Sequence, residues 1–550
     1  MTAAIGSMLT AERAQAMRAA GLWHDRTVLD DLDRWAAETP DRLAIVDHNS
    51  STGIASRLTY GELAARVDRI AAALAGLGVG RGDVVSWQLP NWWQFTALHL
   101  AAMRIGAISN PLMPIFRERE LRFMLGLAEA KVLVMPGTFR GFDHAAMARG
   151  LRADLPSLQH LLVVGGEGGE AFEALHDPAR PFAAAAARTL FAERRPGPDD
   201  VIEILYTSGT TGEPKGVMHS SNTLVSNLVP YVRRLGLRSG DVVLMASPLA
   251  HQTGFMYGVM MPILLGCPVI LQDIWNGGRA ADNVKAEGVT FTMASTPFLA
   301  DLTAVAEERK PDLASLRIFL SAGAPIPSAV ARRATENLGA TIVSAWGMTE
   351  NGAATTTLLD DPPERACETD GCALEGIELR IVDEAGTDLP PGTEGRLLLR
   401  GCSNFLGYLK RPELYGVDAE GWFDTGDLAR MDEAGYIRIT GRTKDVIIRG
   451  GENVPVVEVE GLLYQHPAVA EVAVVGMPDP RLGERACAFV VPRPGASLTL
   501  AELTGFLAEH KLTRNYWPER LEVVDALPRT PSGKIQKFRL RETAKELAAG

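Results

Sequence analysis

A dense cluster of hydroxyl groups and glycines, with one lysine, directly follows an apolar, strand-like segment at 201–206. The cluster reads Tyr206-Thr-Ser-Gly-Thr-Thr-Gly-Glu-Pro-Lys-Gly216. Glycines let the backbone approach a polyphosphate closely, the N–H groups and hydroxyls can donate to its oxygens, and Lys215 supplies a cation. A Walker loop is excluded, because Lys215 is followed by Gly216 and not by Ser or Thr. A plain polar surface loop does not need this density of donors, so the sequence predicts a phosphate-binding loop.

Six further segments combine glycines with hydroxyl, acidic or basic residues. They are Ser321-Ala-Gly-Ala-Pro325, Trp346-Gly-Met-Thr-Glu350, Asp424-Thr-Gly-Asp427, Gly441-Arg-Thr-Lys-Asp445, Gly450-Gly-Glu-Asn453 and Pro531-Ser-Gly-Lys-Ile535. Together with the loop at 206–216, and in this order, they resemble the adenylate-forming superfamily of acyl-CoA synthetases, peptide-synthetase adenylation domains and firefly-type luciferases. Over nearly its full length the chain is most similar to short- and medium-chain fatty acid and cyclohexanecarboxylate CoA ligases.

This resemblance implies an AMP-forming acid:CoA ligase whose substrates are a carboxylic acid, ATP and coenzyme A. The acid would be converted to acyl-AMP with release of pyrophosphate, and CoA would then accept the acyl group and release AMP. The residues implied to bind ATP are Thr207, Ser208, Gly209, Thr210, Thr211, Gly212, Lys215, Gly323, Ala324, Pro325, Trp346, Gly347, Asp427, Ile439 and Arg442. Thr349 would contact the α-phosphate, and Glu350 would hold Mg²⁺, a cation that prefers carboxylate and phosphate oxygens.

The base and ribose would lie against an aromatic residue and a carboxylate. Relatives usually carry tyrosine at position 346, with its ring against adenine. Trp346 departs from that pattern but keeps an aromatic face, so we expect stacking to remain. Asp427 would bind the ribose hydroxyls with Arg442 nearby, and residues 321–325 would form the opposite wall of the adenine site.

Four residues carry the implied chemistry, and they are Lys534, Thr349, Glu350 and His251. Lys534 matches the family's adenylation lysine. A cation between the carboxylate and the α-phosphate offsets the negative charge that both reactants bring to the transition state. His251 matches a position that borders the carboxylate and the thiol entry in relatives, and a purely structural histidine is the alternative there.

The second half-reaction needs a different partner at the same carbonyl. The family solves this by rotating its C-terminal domain about one hinge residue, which matches Lys444 here. Gly450 and Gly451 would then line the CoA channel, where a side chain would block the thiol. Such a rotation also keeps the labile acyl adenylate away from water.

The acyl pocket is expected to be apolar. Segments 247–262 and 292–298 contain no aspartate or glutamate. A buried substrate ammonium without a carboxylate partner would be costly, which disfavours amino acids. We therefore expect a short- to medium-chain, branched or alicyclic acid. The expected pocket walls are Phe255, Met256, Thr296, Ala322 and Gly347.

Other functions within and outside this reaction class stay open. The chain could load a separate carrier protein, activate an aromatic acid for CoA, or oxidise its own adenylate as a luciferase-like monooxygenase. The chain has no carrier-like Asp-Ser-Leu segment, which favours free CoA. A non-catalytic binding protein is the weakest alternative, since every reactive residue that the resemblance implies is present.

The order of elements that must position these residues predicts an α/β fold. Strands and helices alternate to about 165 and again from 201 to 350, short alternating strands fill 375–440, and a compact α+β unit follows. We expect an N-terminal adenylation domain over 1–443, with two α/β layers and a small β-rich subdomain, and a small mobile C-terminal domain over 444–550. The Ala- and Pro-rich stretch at 176–200 is expected to be a surface connection.

Composition excludes several classes of protein. The 550 residues carry a formal net charge of −12 and no long basic run, which argues against nucleic acid as a partner. Five scattered cysteines, an odd number, fit a reducing cytoplasm. Segment 252–272 is uncharged, but Pro262, Gly266 and Pro268 interrupt it, so it predicts a buried helix followed by a strand and no membrane span. The sequence leaves a homodimer open.

Overall fold

A computed structural model describes residues 5–166, 169–207, 213–443, 446–449, 452–530 and 533–549. Its largest sheet has nine strands, six of which run parallel in the middle. In spatial order they are Cys372–Ala373, Gly352–Thr356, Thr341–Met348, Ile318–Ala322, Phe291–Ala294, Val243–Met245, Val269–Gln272, Leu43–Asn49 and Ile54–Thr59. The inner strands are mostly buried and largely apolar because both faces are covered, which is typical of parallel sheets.

The second sheet has seven strands and carries the predicted phosphate-binding loop at one edge. In spatial order they are Lys215–Ser220, Val201–Thr207, Ile108–Pro111, Val84–Trp87, Val132–Pro136, His160–Val164 and Glu170–Ala171. The strand Val201–Thr207 runs antiparallel to Lys215–Ser220, with Thr207 opposite Lys215. The loop that joins these two strands is therefore the one that the sequence predicts to bind phosphate.

Helices cover the faces of both sheets. In the N-terminal part they are Ala11–Ala19, Val28–Glu38, Tyr60–Gly76, Trp93–Arg104, Glu118–Ala128, His144–Leu151, Ala184–Arg194, Ser221–Arg234, Gln252–Gly254, Met261–Leu265, Gly277–Glu287, Thr296–Arg309, Ser328–Leu338 and Arg365–Glu368. The predicted helix near 58–80 begins at Tyr60, where Thr59 and Glu62 form a capping box. Its residues at helical spacing, Leu63, Val67, Ile70 and Leu74, are all buried.

The stretch at 176–200 differs from the expected surface connection, because it contains the helix Ala184–Arg194. Ala187 and Phe191, four residues apart on that helix, are buried against the main core. The uncharged segment after 252 is confirmed as buried helix, with a π-helical turn at Phe255–Met260, followed by the strand Val269–Gln272. Within the described ranges, no helix has the length and apolarity needed to cross a bilayer.

The small β-rich subdomain is a four-stranded antiparallel sheet, as predicted. Its strands are Ile377–Val382, Gly395–Gly401, Phe423–Met431 and Ile437–Arg442. The C-terminal unit has a separate five-stranded sheet with the strands Ile447–Arg449, Glu452–Val454, Val469–Asp479, Gly483–Pro492 and Arg520–Val523, and the helices Val456–Leu463, Leu500–Glu509 and Lys537–Ala549. Its two hydrophobic clusters contain only residues from Ile447 onward. The α/β fold with a separate C-terminal domain is thus confirmed.

Candidate active site

The predicted site residues gather at the carboxyl ends of four adjacent parallel strands of the large sheet. His251 follows Val243–Met245, Thr296 follows Phe291–Ala294, Ala322 ends the next strand, and Trp346 lies near the end of Thr341–Met348. In open α/β sheets this edge is where ligands bind, because the loops there surround a crevice.

Glu350, the predicted metal ligand, is held by a tyrosine that also contacts the predicted phosphate loop. The Tyr408 hydroxyl donates to Glu350 Oε1 at 2.8 Å, and Lys215 Nζ donates to that hydroxyl at 3.1 Å. Lys215 Nζ also lies 4.2 Å from the centre of the Tyr408 ring, at cation–π distance. Burial, followed by the negative charge of Glu350, raises the pKa of Tyr408, so the phenol keeps its proton and acts as a donor.

The donor set around Glu350 fits a magnesium ion that is shared with a nucleotide. The Tyr408 hydroxyl binds Oε1 of this carboxylate, and among the residues that the structure describes no three acidic, histidine or cysteine side chains form a metal cluster. Mg²⁺ in nucleotide enzymes usually takes one or two carboxylates and completes its shell with phosphate oxygens and water. One buried and oriented carboxylate is what such a site requires from the protein.

Two further contacts fix the backbone of the Thr349–Glu350 pair. His219 Nε2 donates to the Thr349 carbonyl at 2.8 Å, and the Phe405 N–H donates to the Glu350 carbonyl at 2.8 Å. Burial lowers the pKa of His219 to about 4, so its imidazole is neutral near pH 7. The turn that presents both predicted catalytic residues is thus held from two sides.

Asp427, the predicted ribose ligand, is bound by Arg442, as expected from the sequence, and also by Trp346, the residue expected to stack on adenine. Trp346 Nε1 donates to Asp427 Oδ2 at 2.9 Å, and Arg442 Nε lies 2.9 Å from Oδ1. The indole N–H therefore fixes the plane of the ring that we expect to stack on adenine. Ile439 lies one strand away, with its N–H donating to Asp370 Oδ2 at 2.8 Å.

Thr296, a predicted residue of the acyl-pocket wall, is hydrogen-bonded to the segment 321–325, the predicted wall of the adenine site. Its hydroxyl lies 3.2 Å from Ser321 Oγ and donates to the carbonyls of Ala324 and Pro325 at 3.2 and 3.3 Å. Gly323, between these residues, has a φ of +88°, which favours glycine. The acyl and nucleotide sides of the predicted site therefore share this loop.

The loop that carries Lys534 reaches the same edge from the C-terminal unit. A Cβ on Gly533 would lie 2.8 Å from Ser295 Oγ, and Gly533 has a φ of +85°, so only glycine fits this approach. Burial, and secondly the positive charge of Lys534, lower the pKa of His251 to about 4. His251 Nδ1 accepts from the Thr253 N–H at 3.3 Å. The loop of Lys534 therefore lies against Ser295, at the strand ends that His251 also follows, and the imidazole of His251 is neutral near pH 7.

The remaining predicted acyl-pocket residues lie in well-packed surroundings. Phe255 is buried and meets the His99 ring edge-on, with centroids 4.7 Å apart. Met256 is buried beside Gly352, where an added Cβ would lie 2.9 Å from the Met256 sulfur. Gly347 cannot carry a side chain, because its Cβ would lie 2.0 Å from the Gly352 carbonyl oxygen.

Several predicted residues fall outside the described ranges. They are Ser208, Gly209, Thr210, Thr211 and Gly212 of the phosphate loop, the hinge residue Lys444, and Gly450 and Gly451 of the CoA channel. Thr207, at the start of the loop, is described, and its hydroxyl is buried with no hydrogen-bond partner among the residues that the structure describes. An orphan buried hydroxyl at this place fits a donor that waits for a ligand oxygen.

Sequence reasoning missed Tyr408 and His219. Neither belongs to one of the segments that carry the predicted chemistry. His219 alone could have been suspected, since it lies one residue before the end of the strand that starts at Lys215.

Comparison with known proteins agrees with this arrangement. A family model described as AMP-binding enzyme matches residues 32–409, and one described as AMP-binding enzyme C-terminal domain matches residues 458–534. The chain is 39% identical over 534 residues to the medium-chain fatty-acid–CoA ligase of Escherichia coli K12, covering 96% of this chain and 93% of that protein. It is 36% identical to a salicyl-AMP ligase/salicyl-S-ArCP synthetase of Mycobacterium tuberculosis, covering 96% and 92%.

A solved structure supports the same kinship at the level of the fold. ATP-bound MatB from Rhodopseudomonas palustris superposes with a TM-score of 0.84 and 30% sequence identity, covering 96% of this chain and all of that chain.

Proposed function

Because the chain belongs to the AMP-binding enzyme family, we propose that it activates an apolar carboxylic acid as acyl-AMP and transfers the acyl group to coenzyme A. Acid:CoA ligase or related adenylating activity is common to its relatives. The observation that carries the proposal is the approach of Gly533, next to Lys534, to Ser295, where an added Cβ would lie 2.8 Å from Ser295 Oγ. With that approach, Lys534 would supply a cation at the carboxyl ends of the strands, where the acid and the α-phosphate would meet.

In the first step, a carboxylate oxygen attacks the α-phosphorus, and the bond to pyrophosphate breaks. Lys534 would bridge the two anionic reactants and stabilise the charge that develops between them. Lys215 and the hydroxyls of the loop would bind the leaving pyrophosphate, and Thr349 would contact the α-phosphate. Magnesium bound at Glu350 would neutralise phosphate charge.

In the second step, the CoA sulfur attacks the acyl carbon and AMP leaves. The neutral His251 would border the carbonyl of the acyl-AMP without adding a second positive charge beside it. We further propose that the C-terminal domain rotates about Lys444 between the steps, so that Gly450 and Gly451 replace Lys534 at the carbonyl.

An apolar acid is favoured by the charges near the pocket. Asp301 is the first acidic residue after 292–298, and its Oδ2 accepts from Trp275 Nε1 at 2.8 Å. It thus already has a partner and is no obvious receptor for a substrate ammonium. A second candidate is an aryl-acid adenylating enzyme that loads a carrier protein, because a 36% identical relative carries that name.

The test is a panel of acids assayed for AMP release with CoA. Hexanoate and cyclohexanecarboxylate represent apolar acids, salicylate the aryl acids, and leucine the amino acids. We expect faster turnover with an apolar acid, and AMP release that depends on CoA. Faster acid-dependent exchange of pyrophosphate into ATP with leucine would refute the apolar pocket. Salicylate turnover that is independent of CoA, but dependent on a phosphopantetheinyl carrier, would favour the second candidate.

A further inference from the structure

Residues 5–25, here called the N-terminal arm, lie outside the matched family segment that begins at residue 32. The arm runs along the segment 402–410. The Met8 N–H donates to the Leu406 carbonyl at 2.7 Å, the Lys410 N–H to the Ile5 carbonyl at 3.2 Å, and Trp23 Nε1 to the Cys402 carbonyl at 2.9 Å.

Arg13 makes two side-chain hydrogen bonds to this segment and one to Tyr415, which follows it. Its Nη1 donates to the Phe405 carbonyl at 3.1 Å and to the Tyr415 hydroxyl at 3.0 Å, and its Nη2 donates to the Asn404 carbonyl. Asn404 and Phe405 are buried. The planar guanidinium thus holds two successive carbonyls at fixed positions, which a flexible ammonium cannot do equally well.

The same segment holds Glu350. The Phe405 N–H donates to the Glu350 carbonyl, and the Tyr408 hydroxyl donates to its carboxylate, each at 2.8 Å. The Leu409 N–H also donates to the Gly216 carbonyl at 2.7 Å, next to Lys215. Arg13 is therefore one peptide group away from the backbone of the predicted metal ligand.

We propose that the N-terminal arm is a positioning element for the magnesium and phosphate side of the site, and that Arg13 acts through the Asn404–Phe405 peptide. The inference rests on the proposed function, since it takes Glu350 as the metal ligand. Without Arg13 the Asn404 and Phe405 carbonyls lose their guanidinium donors on the side away from Glu350. The carboxylate then samples positions in which Tyr408 and Phe405 no longer orient it.

Arg18, on the same helix of the arm, provides a matched control. It pairs with Asp25 and Asp199, at 2.7 Å each, and makes no described contact with the segment 402–410. Arg18→Ala removes the same kind of side chain from the same helix and weakens the attachment of the arm. It leaves the Asn404 and Phe405 carbonyls occupied.

The experiment measures equilibrium binding of ATP to the full chain by calorimetry, without acid, once with excess magnesium and once with EDTA. We expect Arg13→Ala to weaken binding in magnesium by about 5- to 10-fold, the scale of one ordinary hydrogen bond, with binding in EDTA unchanged. Arg18→Ala should leave both ATP affinities within about twofold of the wild type, because it removes no hydrogen bond to the Asn404 and Phe405 carbonyls. Thermal melting of both variants reports their stability.

Two outcomes would contradict the inference or the proposed role of Glu350, and a second variant covers the case in which Arg13→Ala does not fold. The inference is overturned if the ratio of the ATP affinity in magnesium to the ATP affinity in EDTA is the same in Arg13→Ala and in the wild type. If Arg13→Ala does not fold, Arg13→Lys, which keeps the charge but lacks the fork, is measured in the same way and must show the same selective loss. A wild type that binds ATP equally with and without magnesium contradicts the proposed role of Glu350 itself, and so refutes the proposed function at that residue independently of the arm.

Discussion

Replacing Tyr408 by phenylalanine removes one hydroxyl that lies between Lys215 and Glu350. The phenyl ring would keep its packing against Phe405, with centroids 4.8 Å apart, and its cation–π contact with Lys215. The Glu350 carboxylate would lose its donor at Oε1, a hydrogen bond of 2.8 Å in a site where Glu350 is only 5% exposed. The change therefore tests the orientation of the carboxylate with little change in packing.

The magnitude follows from the kind of bond that is lost. A hydrogen bond to a charged group contributes about 1.5–3 kcal/mol. If that contribution is lost in the transition state, kcat/KM for Mg·ATP should fall by roughly 10- to 150-fold, at 1.36 kcal/mol per factor of ten. The fall should be largest at limiting magnesium, because a disordered carboxylate binds the cation less well.

The assay is acid-dependent exchange of pyrophosphate into ATP over a series of magnesium concentrations. Tyr60→Phe is the matched control, since its hydroxyl is also buried but donates to the Pro262 and Cys267 carbonyls, away from every predicted site residue. It should lower the thermal midpoint without changing the magnesium dependence. If the exchange rate of Tyr408→Phe stays within about twofold of the wild type, the change is much smaller than the loss of this hydrogen bond predicts. The hydroxyl would then not orient Glu350.

Two further predictions concern Lys534 and His219. Lys534→Ala should slow acyl-AMP formation by about 10²-fold or more, the scale for one preorganised charge donor, yet presynthesised acyl-AMP and CoA should still give thioester at close to the normal rate. Equal loss of both half-reactions, measured by rapid quench, would contradict a lysine that serves one step only. His219 has a folded pKa of about 4, below its ordinary 6.5, so the unfolded chain binds the extra proton first and stability falls as pH falls from 6.5 toward 4. At pH 5 this costs about 2 kcal/mol relative to pH 7.5. His219→Gln should therefore show a smaller shift of the urea midpoint between these two pH values, and an identical shift in variant and wild type would refute the assignment.

The parts of the fold that the sequence predicts are those with local periodicity. The helix Tyr60–Gly76 has buried residues at helical spacing and a capping box, and the strand Val201–Thr207 is a mostly apolar run that ends where the cluster of hydroxyls and glycines begins. Parallel strands share one edge for their carboxyl ends, so motifs that follow apolar runs could be expected to meet. The helix Ala184–Arg194 was missed because its alanines and charges show little amphipathic pattern, and burial of Phe191 decides it.

The supports of the site could not be predicted, because their partners are far apart in the chain. Tyr408 and Glu350 are 58 positions apart, His219 and Thr349 are 130 apart, and Arg13 and Phe405 are 392 apart. The sequence does not show whether the side chain of a tyrosine or an arginine binds a carboxylate or a loop carbonyl. Only the packing of the two sheets against the segment 402–410 distinguishes these cases.

The distribution of these supports explains how one nucleotide site can serve two steps. Tyr408, Phe405 and His219, which hold the Thr349–Glu350 turn, all belong to the N-terminal part of the chain. Asp427 is likewise held by Trp346 and Arg442, before the proposed hinge. The C-terminal unit brings the Lys534 loop against Ser295, on the side where we expect the acid. If that unit rotates as proposed, Lys534 would leave the site while the groups expected to hold the phosphates and ribose stay in the N-terminal part. The acyl-AMP would stay fixed at its nucleotide end while its carbonyl becomes accessible to the thiol.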